Sequence, residues 1–137
     1  MRRRAAPAAL LIALLLAGCV YYPTVPDTPG VRIVPKNGRA VRQSTGLAVY
    51  MDLESTARDG DALISATAEV ARVALIVAPG VEPARIDVPG ISLVRLHAAG
   101  PYIALSDLTR AVAPGESILV QVLFEKSGMM GVVTRVE

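Results

Sequence analysis

The stretch Gly46-Leu47-Ala48-Val49-Tyr50-Met51-Asp52-Leu53-Glu54 has the two-residue period of a strand. Leu47, Val49, Met51 and Leu53 fall on one side, with Ala48, Tyr50, Asp52 and Glu54 on the other. Towards the C-terminal end Ile118, Val120, Val122 and Phe124 repeat the pattern against Leu119, Gln121, Leu123 and Glu125. A helix would gather its apolar residues three and four apart instead.

Outward from these two segments, further strands are predicted at Val31–Val34, Asp61–Thr67, Arg72–Val77, Ala84–Val88, Ser92–Leu96, Tyr102–Ser106 and Met130–Val136. Turn residues punctuate them: Pro35 with Gly38, Asp59-Gly60, Pro79-Gly80, Pro89-Gly90, Gly100-Pro101 and Pro114-Gly115. Ser55–Asp59 and Asp107–Val112 could each hold a helical turn. Many short strands with regular turns predict an all-β fold, an antiparallel immunoglobulin-like Greek-key β-sandwich or barrel over residues 31–137.

The N-terminus reads differently. Arg2, Arg3 and Arg4 precede the apolar run Ala5–Leu16, and Leu16-Ala17-Gly18-Cys19 closes it. The run falls short of the ~20 residues that span a bilayer and has the flanks of a secretory signal. Its last four residues resemble a lipobox, which marks residues 1–18 as a lipoprotein signal peptide and Cys19 as the lipidation site. Plain secretion with a free thiol is the competing reading. Each acyl methylene contributes about 0.8 kcal/mol, so several chains make a stable membrane anchor. Residues 19–30 contain Pro23, Pro26 and Pro29 and read as an extended tether. The expected location is the extracytoplasmic face of the cell membrane or outer membrane. Val20, in place of the Asp that retains Gram-negative lipoproteins at the inner membrane, favours the outer one where it exists.

Composition excludes several chemistries. Three of the 14 basic side chains lie in the signal segment, leaving 11 against 12 acidic ones, a net of −1. That balance gives no electrostatic case for nucleic acid. One His and one Cys cannot assemble an ordinary zinc site. No nucleophile elbow, zinc-protease helix or phosphate-cradling loop is present, so no catalytic residue is assigned and an enzyme is not expected. Asp59 and Asp61 flank a turn glycine, which fits a solvated loop. Met51 fits core packing.

Ala40-Val41-Arg42, Gly46-Leu47-Ala48-Val49-Tyr50-Met51, Gly60-Asp61-Ala62-Leu63-Ile64 and Ala71-Arg72-Val73-Ala74-Leu75 occur in order. Pro89-Gly90, Tyr102-Ile103-Ala104-Leu105, Pro114-Gly115-Glu116 and Phe124-Glu125-Lys126-Ser127-Gly128 follow. In that order and spacing they resemble the periplasmic copper chaperones called PCu(A)C, and the ending resembles actinobacterial lipoproteins that share this domain. The resemblance implies a cupredoxin-like β-sandwich that carries Cu(I) to cytochrome oxidase outside the cytoplasm. It also implies four ligands, a His, a Met and a later His-x-Met pair, which suit Cu(I) because imidazole and thioether are soft. Carried onto this chain, the first His falls on Ile76, the Met near Gly80, and the pair on Tyr102 and Ala104. Weak substitute candidates are His97, Met129 and Met130. Two functions follow from this. One is a copper-chaperone-like accessory module, degenerate at the copper site, that binds a protein partner in the envelope. The other is a chaperone that delivers Cu(I) to cytochrome oxidase assembly through altered ligands.

Overall fold

A computed structural model describes residues 30–137; Cys19, the signal segment and nearly all of the tether lie outside the described residues. The described residues contain nine strands and no helix. They are β1 (Ile33–Gln43), β2 (Gly46–Ser55), β3 (Asp61–Ala68), β4 (Ala71–Val77), β5 (Ile86–Val88), β6 (Ser92–Arg95), β7 (Tyr102–Leu108), β8 (Ser117–Phe124) and β9 (Gly128–Val136). Hydrogen bonding runs β1-β9-β8-β3-β4-β7-β2 and returns from β2 to β1, closing the sandwich into a barrel. Short β6 continues along β2 past the end of β7, and β5 pairs with β3. All pairs are antiparallel except β1–β9, which run parallel at Arg39 and Ala40. The β3–β4 connection is the weakest seam, paired only at Ala68 opposite Ala71.

The alternation in β8 translates directly into burial: Ile118, Val120, Val122 and Phe124 are buried while Leu119 and Gln121 are exposed. Burying each such side chain contributes about 1.5–3 kcal/mol. In β2 the inward set Leu47, Val49, Met51 and Leu53 is joined by buried Ala48 and Tyr50 on the opposite face. The β1–β2 hairpin also presses on β7. A Cβ on Gly46 would lie 1.9 Å from the Leu105 carbonyl oxygen, so no side chain fits there.

Three sequence expectations change. β1 runs on through Pro35 and Gly38 to Gln43, because Asn37 (φ 55°) and Gly38 form a bulge between Lys36 and Arg39 rather than a turn. Ser55–Asp59 and Asp107–Val112 hold no helical turn: Ser55 ends β2, and Asp107 and Leu108 complete β7. Asp61 is not solvated; it is one of three buried polar side chains among the described residues.

Its carboxylate ties the start of β3 to the β8–β9 turn. Oδ1 accepts from the Ala62 and Lys126 N–H groups at 2.8 Å each. Oδ2 accepts from the Ser127 N–H at 2.9 Å and from its hydroxyl at 2.6 Å. Burial pushes this carboxyl up, but the hydrogen bonds from Ser127, Lys126 and Ala62 outweigh it and hold it below the usual value. A depressed folded pKa stabilises fully above the unfolded value of about 3.9 and less as pH falls through the folded one. Asp61→Asn should therefore cost about 2–4 kcal/mol at pH 7 in urea unfolding, since one amide oxygen cannot replace two charged acceptors. The difference from the native chain should shrink as pH is lowered below about 4. A cost that stays constant from pH 7 to pH 2.5 would show that the charge is not what matters.

Candidate functional site

The positions singled out for copper lie on the sheet formed by β1, β2, β7 and β4. Residues directly opposite one another across strands share a face, and neighbours along a strand alternate. Three rows therefore cross the outer face. Arg39 is opposite Tyr50 and Val77 is opposite Tyr102, while the Tyr50 and Tyr102 rings join the two halves. Val41, Ala48, Ala104 and Leu75 form the next row, and Gln43, Gly46, Ser106 and Val73 the third.

The first row is a ladder of aromatic and cationic contacts. The tyrosine centroids are 6.0 Å apart with planes at 63°, an edge-to-face arrangement. The Arg39 guanidinium carbon stands 5.2 Å from the Tyr50 centroid and Arg39 also meets Glu137 at 3.7 Å. A cation in that position is attracted by the negative ring face, an effect of about 0.5–1 kcal/mol where solvent reaches it. The second row is small and apolar in its middle, Ala48 and Ala104, with Leu75 59% exposed at its end. Beyond the ladder the face becomes charged. Lys36 and Glu54 pair at 2.6 Å, the Asn37 amide donates to Asp52 at 2.9 Å, and Arg95 lies 3.9 Å from Asp52.

The structure brings Tyr102 and Ala104 together with Leu75 and Val77, not with Ile76. Ile76 is opposite Ile103, so its side chain turns to the core side while Tyr102 and Ala104 turn outward. Ile76 and the Tyr102–Ala104 pair therefore lie on opposite faces of the sheet, because the strand period flips with a one-residue step. Gly80 sits in the turn after β4 at φ 78°, and a Cβ there would meet no atom within 4 Å.

The substitute candidates are scattered. His97 is exposed in a turn whose Gly100 N–H donates to its carbonyl at 3.1 Å, and its ring folds over Gly100. Met129 is 51% exposed opposite Leu123, whereas Met130 turns inward opposite Val122. His97 lies level with Tyr50, since the adjacent Leu96 N–H bonds the Met51 carbonyl. Met129 lies six residues before Arg135, the partner of Arg39, which is itself opposite Tyr50. Six residues of strand span roughly 20 Å, far beyond a shared coordination sphere. Met51 is 1% exposed in the core. Among the described residues no three His, Cys, Asp or Glu side chains converge as a metal site.

A family model of LpqE-like lipoproteins matches residues 27–136. The chain belongs to the LpqE-like family. No curated protein matches it. Among solved structures this LpqE-like chain is similar to the copper-bound PCuAC domain from PmoF2, with a TM-score of 0.68 at 21% identity, covering 86% of this chain and 98% of that one. The apo PCuAC domain from PmoF1 gives 0.67 at 21% identity, covering 82% and 97%. The Cu(I) form of DR1885 from Deinococcus radiodurans, a solution structure, gives 0.58 at 20%, covering 91% and 85%. These likenesses establish the PCuAC fold for this LpqE-like chain.

Sequence reading put Tyr50 on the side of its strand opposite the apolar set but missed Arg39, Leu75 and Val77 as members of this face. The Ala48-x-Tyr50 spacing was the available signal, since a tyrosine on the outward phase of a strand needs a lateral partner. Coupling between Tyr50 and Tyr102 should measure about 0.5–1.5 kcal/mol in a double-mutant cycle of Tyr50→Ala and Tyr102→Ala, followed by urea unfolding. Strict additivity of the two substitutions would deny the contact.

Proposed function

We propose that this LpqE-like chain is a lipid-anchored, extracytoplasmic, non-catalytic module that uses the outer face of β1, β2, β7 and β4 to bind a protein partner of the cell envelope. One observation carries the reading. The three outer rows of β1, β2, β7 and β4 hold half-buried Tyr102 and Ala104, exposed Arg39 and Leu75, and buried Tyr50 and Ala48, with no imidazole, thioether or thiolate in those rows; His97 stands outside them, in the turn level with Tyr50. Cu(I) requires soft donors converging on one point, and a phenol oxygen is hard. Tyrosine and arginine beside a small-residue apolar patch are instead the groups that dominate protein interfaces. The family's description as lipoproteins and the Leu16-Ala17-Gly18-Cys19 sequence support the anchor and the extracytoplasmic location.

Copper delivery to cytochrome oxidase through altered ligands is the second reading, supported by a copper-bound relative of the same fold. It would draw on His97, Met129 and Met130, which the strands hold apart.

Competition with a chromogenic Cu(I) chelator under reducing conditions tests the choice. Residues 20–137 should leave the chelator's copper in place; withdrawal of one Cu(I) per chain would favour delivery. Val77→His with Tyr102→His and Ala104→Met should gain at least about tenfold in affinity, because all three donors share a face. Replacing Val77→His by Ile76→His in that set should gain little. For the anchor, Cys19→Ser should leave unprocessed precursor or released protein in place of a detergent-partitioning form.

A further inference from the structure

The chain protects two of its sheet edges and leaves a third bare. β5 is three residues long, carries Asp87 and is followed by Pro89, and β6 is four residues long and ends on Arg95. Short length, charge and proline are the ordinary means of keeping an edge from pairing with another chain. β4 has none of them beyond Arg72, which is held at 3.1 Å by Asp107. From Val73 to Ala78 it is apolar without interruption. One edge of β4 pairs with β7 along its length, but the other meets β3 only at Ala71. No other backbone hydrogen bond ties Val73–Val77 on that side among the described residues. Val73 is 38% exposed and Leu75 59%.

The geometry points to a second copy of this chain as the occupant of that edge, its β4 pairing antiparallel with β4 about a two-fold axis through Leu75. The sequence is self-complementary in that register. Val73 meets the partner's Val77, Ala74 meets the partner's Ile76, and Leu75 meets its own counterpart. Arg72 lies outside the paired core, so no like charges meet. Centring on Leu75 also keeps the partner clear of Ala71, where the β3–β4 hairpin closes the wedge. A two-fold interface uses the same patch on both copies, as this register does. Pairing in the plane of the sheet leaves the outer face open and joins the two Leu75 ends of its apolar rows into one surface. A strand pair this short falls below the roughly 1,600 Å² of a standard stable interface, so the dimer is weak and concentration-dependent. This inference does not rest on whether copper binds.

Cysteine cross-linking tests it cleanly, because Cys19 is the only cysteine in the sequence and residues 20–137 keep every strand and core residue described above. Directly opposite residues of an antiparallel pair have Cα atoms about 4.5–5.5 Å apart, within the range a disulfide spans. Leu75→Cys in residues 20–137 should therefore oxidise to dimer at least about tenfold faster than Val133→Cys, which is 70% exposed on β9 and away from this edge. The unmodified domain should show a sedimentation coefficient that rises with concentration, and Leu75→Lys should abolish the rise while keeping the β-sheet circular dichroism. Equal cross-linking of the two cysteine variants, or a monomer at every concentration up to about 1 mM, overturns the inference.

Discussion

Every side chain on the outer face owes its direction to two registers, Ala48 opposite Ala104 and Ala104 opposite Leu75. A strand has a period of two, so a slip of one residue in either pairing would exchange the faces of a whole strand. What fixes those registers is burial on the other side. Val49, Ile103 and Leu105 are 0–1% exposed, and moving them outward would forfeit about 1.5–3 kcal/mol apiece. The chemistry of the outer face is thus dictated by packing on the inner one. Tyr102 and Ala104 are presented outward because Ile103 cannot be.

The same constraint separates what holds the PCuAC fold together from the chemistry of its outer rows. The scaffold depends on inward residues, on the Asp61 clamp and on the Gly46 approach to Leu105; of these only Gly46 lies in an outer row. Outward positions on β7 and β4 such as Ala104 and Leu75 can change chemistry with far less disturbance than the buried Ile103 and Leu105. There Tyr102 meets Tyr50 and Tyr50 meets Arg39, so that modest contacts couple three strands across the face.

Much of this was legible in the chain. The alternation in Leu47–Glu54 and Ile118–Glu125 identified two strands and their inward residues, because the inward face of each is heavily apolar, although Ala48 and Tyr50 of β2 are buried on the other side as well. β1 was cut short at Val34 because Pro35 and Asn37-Gly38 look like a turn. β9 meets β1 only at Arg39 and Ala40, so Pro35 interrupts no ladder on that side. Asp61 looked solvated because its partners Lys126 and Ser127 are about half the chain away. The face that Ile76 shares was illegible for a related reason: spacing along one strand cannot reveal the register against another. The Arg39–Tyr50–Tyr102 ladder joins three strands and has no local signature at all.

The most direct measurement is therefore the β4–β7 register itself, read from cross-strand nuclear Overhauser effects in the soluble domain. The account predicts contacts that place Ile76 opposite Ile103, Leu75 opposite Ala104 and Val77 opposite Tyr102. Contacts placing Ile76 opposite Tyr102 or Ala104 would turn it onto the outer face, and the composition of that face as argued above would be wrong.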